Sequence, residues 1–308
     1  MRLLRKLDAR SAAAGCYVAA IGGFDGIHLG HRALISRACG LARLAGLASM
    51  VLSFEPLPKE FFAAGTAPGR LTNFRERWRL LEALGVDVLC LLRFNEALRN
   101  LDGEQFARLL VAGGVRTLVV GHDFRAGYRG EATAGWFQRE CPGLGLSVEV
   151  LEPVVGEGIR IGSRAIRDAL TAGDLDRAAR LLGRPYSMRG RVIGGERLGR
   201  TLGFPTANLR LGRRHTPLDG IFAVRVRGIE PGRALGGVAS LGTRPTVGGT
   251  VPLLEAHVFD YDGNLYGREL EVEFVARLRD ELRFDSLDAM VAQMHRDAAE
   301  ARARLAMA

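Results

Sequence analysis

Apolar and polar positions follow two different rhythms along this chain, and the change falls near residue 183. Between residues 15 and 182, short apolar runs alternate with longer stretches whose apolar residues recur at helical spacing. The runs at 17–21, 47–53, 86–92, 117–120 and 146–151 predict strands, and 32–44, 73–84 and 103–111 predict helices between them. That alternation predicts an α/β unit: a parallel sheet covered on both faces, with ligands beyond the carboxyl ends of its strands. Two further helical stretches, 164–170 and 174–182, close this half, and Gly183-Arg184-Pro185 breaks the pattern.

Beyond the break, β-type runs at 186–193, 221–226, 235–240, 254–260 and 270–275 are separated by Gly, Pro and Asp. They predict an antiparallel sheet or small barrel. Residues 285–305 read as one terminal helix, with Ser286 as its N-cap. Leu287, Met290, Val291 and Met294 form an apolar stripe expected to pack on the barrel. The predicted domains are residues 1–183 and 184–308, each long enough for its own core.

Composition narrows the partners. A hydrophobic content of 47% and a charged content of 25% are ordinary for a globular chain. The formal net charge of +9 comes almost wholly from arginine, since Lys6 and Lys59 are the only lysines. Arginine suits forked phosphate contacts, but the excess is dispersed and forms no basic block, so no nucleic-acid partner is expected. Cys16, Cys39, Cys90 and Cys141 are far apart and lack metal-ligand spacing, which fits reduced thiols. No apolar run reaches the length of a membrane span. Arg2, Arg5 and Lys6 ahead of Ala12-Ala13-Ala14-Gly15-Cys16 imitate an export signal, but Asp8 and Arg10 interrupt its apolar core. The expectation is a cytoplasmic protein with no membrane partner; nothing in the sequence sets an oligomeric state.

Chemistry concentrates in a few segments. Gly22-Gly23-Phe24-Asp25-Gly26-Ile27-His28-Leu29-Gly30-His31 follows the first strand and opens a helix, so backbone N–H groups converge there on an anion. His28 and His31 are three apart and face one side of a helical first turn, where they suit the phosphates of a nucleotide. Phe54-Glu55-Pro56-Leu57-Pro58, the segment from Gly121 through His122, Asp123 and Phe124 to Gly127, and the segment from Arg160 through Ser163 to Arg167 also fall at strand ends or helix starts. In the second half, Gly199-Arg200-Thr201-Leu202-Gly203-Phe204-Pro205-Thr206-Ala207-Asn208 is the densest segment. Thr206 and Asn208 alternate on an extended strand, so both point to one face and can share a hard cation and phosphate oxygens. A local Gly/Pro turn explains the segment equally well. Glu255 is an acid inside an apolar strand: such carboxylates usually face solvent, but one facing a pocket could take a proton from a hydroxyl, and His257, on the same face, is expected to face solvent.

Together these segments resemble the bacterial bifunctional riboflavin kinase/FMN adenylyltransferase family, also called FAD synthetases, from about residue 15 to 305. The Gly-x-Phe-Asp-Gly-x-His-x-Gly-His turn is shared by many nucleotidyltransferases, whereas Gly-Arg-x-Leu-Gly-Phe-Pro-Thr-Ala-Asn is specific to riboflavin kinases. The resemblance implies a Rossmann-like nucleotidyltransferase domain followed by an antiparallel β-barrel kinase domain with a terminal helix. It implies that riboflavin and ATP give FMN, and that FMN and ATP give FAD, with Mg²⁺ as cofactor. It assigns Glu255 as the kinase base, Gly199, Gly203, Pro205, Thr206 and Asn208 to ATP, and Thr206 and Asn208 also to the metal. For the adenylyltransferase it assigns His28 and His31 to catalysis and Gly23, Phe24, Asp25, Gly30, Asp123, Arg160 and Ser163 to ATP. Arg279 and Phe284 match its flavin-contacting region.

The chain also departs from the family pattern. Leu57 replaces the histidine of Phe-Glu-Pro-His-Pro, Gly162-Ser163-Arg164-Ala165 replaces Ser-Ser-Thr-x, and Ser240 stands where asparagine is usual. These changes keep open a riboflavin kinase whose first half is weak or inactive. A flavin- or nucleotide-sensing binding protein is the reading from another class.

Overall fold

Every strand expected in the first half forms, and a further one joins from the amino terminus. The computed structural model describes residues 1–63, 65–194, 203–246 and 249–307. Strands β1 (Arg2–Leu4), β2 (Tyr17–Ile21), β3 (Ala48–Glu55), β4 (Val88–Arg93) and β5 (Val115–Gly121) precede a small hairpin, β6 (Arg125–Ala126) and β7 (Ala132–Thr133). Strand β8 (Ser147–Leu151) and a second hairpin, β9 (Val155–Gly156) and β10 (Ile159–Arg160), follow. The main sheet runs β1-β4-β3-β2-β5-β8, every pair parallel. All five residues of β2 are buried, as a central strand covered on both faces requires. The residues that imitated an export signal instead form edge strand β1 and the capped helix α1 (Ala9–Ala13), whose first N–H groups bond to Asp8.

Helices α2 (Leu29–Ala45), α3 (Pro58–Phe62), α4 (Phe74–Ala83), α5 (Glu96–Arg99), α6 (Gly103–Ala112) and α7 (Ala134–Glu140) connect these strands. Helix α2 starts on His28 and ends on Gly46, which takes the left-handed C-cap conformation at φ 65°. Helix α6 is framed by a reciprocal Asp102–Gln105 capping box.

By its contacts the chain divides into Met1–Ala67 with Arg77–Gly162, and Pro68–Glu76 with Ser163–Ala308. Helices α8 (Ser163–Thr171) and α9 (Leu175–Leu182), expected from the sequence to close the first half, thus group with the second unit. Periodicity marked them as amphipathic but carries no information on which core receives them.

The second unit is a closed barrel of β11 (Ser187–Ile193), β12 (Ala207–Arg210), β13 (Gly220–Glu230), β14 (Arg233–Thr246), β15 (Gly249–Val258) and β16 (Glu269–Arg279). Its order is β11-β12-β15-β14-β13-β16, all antiparallel, and β16 pairs back onto β11. Helix α10 (Leu287–Met307) starts as expected, with Ala289 N–H donating to Ser286 Oγ at 3.2 Å. Met290, Val291 and Met294 of the expected stripe are half-buried. Leu287, at the start of the stripe, is 57% exposed, and the face of Val291 and Met294 continues into Ala298, Ala301 and Leu305, which meet the barrel around Ala223 and Phe259. Buried Asp297 fixes that rotation: Arg279 Nε and Nη2 donate to it at 2.9 and 2.6 Å, and Gln293 Nε2 at 2.8 Å.

Segment 68–76 is held in this unit by a buried ion pair. Arg213 donates to both Glu76 oxygens at 2.6 and 2.5 Å, with side chains 0% and 6% exposed. Glu76 also accepts from the backbone N–H groups of Asn73 and Arg189, both at 2.7 Å, and Arg213 reaches the Leu71 carbonyl at 3.2 Å. Removing one partner leaves an uncompensated buried charge, so Arg213→Met is expected to destabilise the unit by about 3–5 kcal/mol. The further change Glu76→Gln in that background is expected to restore part of the loss, both measured by denaturant unfolding.

Candidate active sites

In the first unit, the Gly22–His31 turn leaves the end of β2, the position expected for an α/β site. Its backbone is strained: Phe24 and Ile27 have φ of 47° and 43°, and both side chains are buried. The Gly23 carbonyl is pinned by Ser53 Oγ at 3.2 Å and Arg77 Nη1 at 3.4 Å. His28 caps α2, its Nδ1 accepting from the His31 N–H at 3.2 Å. The two imidazoles stack with centroids 3.6 Å apart, and Phe24 meets His31 edge-on at 5.2 Å.

Both histidines therefore stand on one face, as their spacing predicted. They are nonetheless different. Burial, with a smaller contribution from neighbouring His28, holds the His31 pKa well below the usual 6.5, so this ring is neutral near pH 7. Among the described residues its buried Nδ1 has no hydrogen-bond partner. Gly30 permits the close packing, because a Cβ there would lie 3.3 Å from both the His28 ring and the Ile161 carbonyl oxygen. Asp25, within the turn, is 5% exposed. Asp123, after β5, and Arg160, on β10, come together as an ion pair of 2.7 Å with both side chains half exposed. Ser163 opens α8, in the second unit.

In the second unit, the barrel register sets one row of residues abreast. Asn208 pairs with Glu255, Glu255 with Ser240, Ser240 with Ile221, and Ile221 with Arg279. The neighbouring positions Leu209, Leu254 and Leu241, and likewise Ala207, Ala256 and Ala239, are buried in the barrel, so the row faces outward. Thr206 and Asn208 border a cavity of about 420 Å³ that Tyr261, Asp262, Asn264 and Tyr266 also line. That lies within the usual range for small-ligand pockets, ~300–1,000 Å³. Pro205 borders the same cavity, and Gly203, at φ 77°, precedes it. Gly199 lies outside the described residues.

Arg279 stands in the row, but its guanidinium is engaged by Asp297 and stacks 5.9 Å from the Phe284 ring. The two residues matched to flavin contact thus sit together, with Arg279 tying β16 to α10. His257 does not simply face solvent. It is half-buried and bonded to the Pro205 carbonyl at 2.9 Å.

A family model for riboflavin kinase matches residues 182–305, and one for FAD synthetase matches 10–165. A bifunctional riboflavin kinase/FMN adenylyltransferase of Pseudomonas fluorescens is 44% identical over 307 residues, spanning 98% of this chain and 97% of its own. The chain belongs to the bifunctional riboflavin kinase/FMN adenylyltransferase family. The Escherichia coli K12 protein of that name is 42% identical over 306 residues, with 98% and 97% covered. A Streptococcus pneumoniae crystal structure described as a macrolide-efflux protein superposes with a TM-score of 0.82 at 31% identity, covering 98% of this chain and 99% of that one. Among the described residues no helix is long and apolar enough to cross a membrane.

The departures from the family pattern have definite surroundings. Leu57 is 8% exposed, and its Cδ2 would lie 3.7 Å from a Cβ placed on Gly23. It therefore packs on the strained turn. The Arg164 side chain is 93% exposed and 4.0 Å from Asp168. Sequence reading missed an aromatic cluster at the ends of β3 and β4. Phe54, Phe61 and Phe62 each meet Phe94 edge-on within 5.2–5.8 Å, and Phe62 is 61% exposed. The paired Phe61-Phe62 after Pro58 was its available signal, and its open face can stack a planar ring.

Neutral His31 gives a pH test. The unfolded chain binds a proton near pH 6.5, whereas folded His31 takes one only at lower pH, so folding loses stability as pH falls below 6.5. The drop in melting temperature from about pH 7.5 to about pH 5.5 is expected to be smaller in His31→Phe than in the unaltered protein.

Proposed function

We propose that the barrel unit transfers the γ-phosphate of ATP to the 5′-hydroxyl of riboflavin, and that the first unit then joins the resulting FMN to AMP. The observation that carries the kinase assignment is the outward row on the barrel: Glu255 is directly beside Asn208, and Thr206, two residues before Asn208, borders the same cavity as Asn208. Glu255 accepts the hydroxyl proton as the oxygen attacks the γ-phosphorus and the bond to the β-phosphate oxygen breaks, leaving ADP. Thr206 and Asn208 hold the triphosphate in line for that displacement. The functional division then lies at residues 183 and 184.

The donor set suits magnesium carried in with ATP. Thr206 and Asn208 offer neutral oxygens, and no group of three or more His, Cys, Asp or Glu capable of holding a metal occurs among the described residues. Magnesium is commonly held by one or two protein oxygens together with substrate phosphates and waters. When bound, the ion supplies charge neutralisation on the phosphates.

For adenylyl transfer, an FMN phosphate oxygen attacks the α-phosphorus of ATP and pyrophosphate leaves, with no covalent enzyme intermediate. His28 and the N–H groups opening α2 stabilise the phosphate charge. Neutral His31 supports His28 through the stacked rings, and exposed Phe62 gives the flavin ring an apolar face. Riboflavin, FMN, FAD and ATP are the small-molecule partners. The four free cysteines, three of them buried, fit a reducing, cytoplasmic setting. A second reading, kinase activity alone, draws on Leu57 against the Gly23 turn and would appear as FMN accumulating without FAD.

Two substitutions separate the sites. Glu255→Ala is expected to lower FMN formation by about 10²–10⁴-fold while FAD formation from supplied FMN continues. His28→Ala is expected to do the reverse, with both products resolved by chromatography. An unchanged kinase rate in Glu255→Ala would remove that residue as the base.

A further inference from the structure

The chemistry above leaves one half-buried group beside the kinase site unused. His257 lies two residues beyond Glu255 on β15, so both project from the same face. Its Nδ1 is 2.9 Å from the Pro205 carbonyl oxygen. A carbonyl oxygen only accepts, so Nδ1 carries the proton and donates. The same ring packs on Phe204 with centroids 5.0 Å apart, and Phe204 also meets His295 of α10 at 4.8 Å. Phe204 is 5% exposed.

The position of these contacts along the chain is what matters. Strand β12 begins at Ala207, and its first pair with β15 is Ala207 to Ala256. Thr206 therefore stands one residue before the ladder, where strand pairing no longer sets its backbone. Just before it, the bond from His257 to Pro205 restrains the chain, reinforced by the packing of Phe204 between residues of β15 and α10. We propose that His257 is a positioning residue of the kinase site: its Nδ1–H and its ring clamp Phe204-Pro205 so that Thr206 is aimed at the phosphates of MgATP. This rests on reading Thr206 and Asn208 as the phosphate end of that site.

The clamp has two components, a donor and a ring, and substitutions separate them. His257→Asn keeps a donor near the Nδ1 position, whereas His257→Phe keeps a ring without a donor. In His257→Phe, the dissociation constant for MgADP, measured by calorimetry without turnover, is expected to rise about three- to tenfold, the effect of one lost hydrogen bond. The KM for MgATP rises with it. His257→Asn restores most of that binding. Melting temperature and FAD formation from supplied FMN stay near those of the unaltered protein in both variants. MgADP binding unchanged in His257→Phe, or a loss that merely follows a fall in melting temperature, would overturn the clamp. Thr206→Ala is the companion measurement. If it binds MgADP as tightly as the unaltered protein, the site reading fails and the clamp with it. If Thr206→Ala weakens binding and His257→Phe does not, only the clamp fails.

Discussion

Closing six antiparallel strands into a barrel gives each ladder residue a fixed neighbour on either side, and a slip of one residue would turn every side chain to the other face. The proposed kinase site depends on that constraint. Asn208, Glu255, Ser240, Ile221 and Arg279 belong to four separated stretches of sequence plus a fifth at the end of β16, yet register sets them in one outward row. The buried positions alternating with them, Leu209, Leu254 and Leu241 among them, hold the register by filling the barrel. Core packing thus decides which polar groups stand together outside. Arg279 at the end of the row then carries the link to α10 through Asp297.

The first unit reaches its site by another route. A parallel sheet presents only strand ends, so chemistry there rests on loops and helix starts. The turn after β2 concentrates strain at Phe24 and Ile27, a cost of about 1–3 kcal/mol for each such residue. Burial of both side chains and the bonds from Ser53 and Arg77 to the Gly23 carbonyl hold the turn in place. The result is two stacked imidazoles at a helix N-terminus, of which His31 is kept neutral by burial. The two units therefore bring together the groups proposed to bind phosphate by unlike means, one through ladder register and one through a strained turn.

What the sequence made legible follows the range of the forces involved. Strand β2 is a continuous apolar run and its predicted bounds match the structure, because its burial on both faces is written locally. The His28–His31 pair was readable from a spacing of three, and a spacing of two suggested the pairing of Thr206 and Asn208, which border one cavity. Long-range partners were not readable. Nothing near Arg279 announces Asp297, eighteen residues away, and nothing near Glu76 announces Arg213. The terminal helix was foreseen, but its apolar stripe was placed too near the start, with exposed Leu287 and without Ala298 and Ala301, because small residues carry little hydrophobic signal. His257 was read as solvent-facing for the same reason, since its partner carbonyl lies 52 residues earlier.

The central claim is that one chain carries out both phosphoryl and adenylyl transfer on a flavin. A time course with the purified protein, riboflavin, ATP and Mg²⁺, with the flavins separated by chromatography, tests it most directly. The account predicts that FMN appears first and FAD follows at its expense. A course in which riboflavin is unchanged and no FMN forms would contradict it.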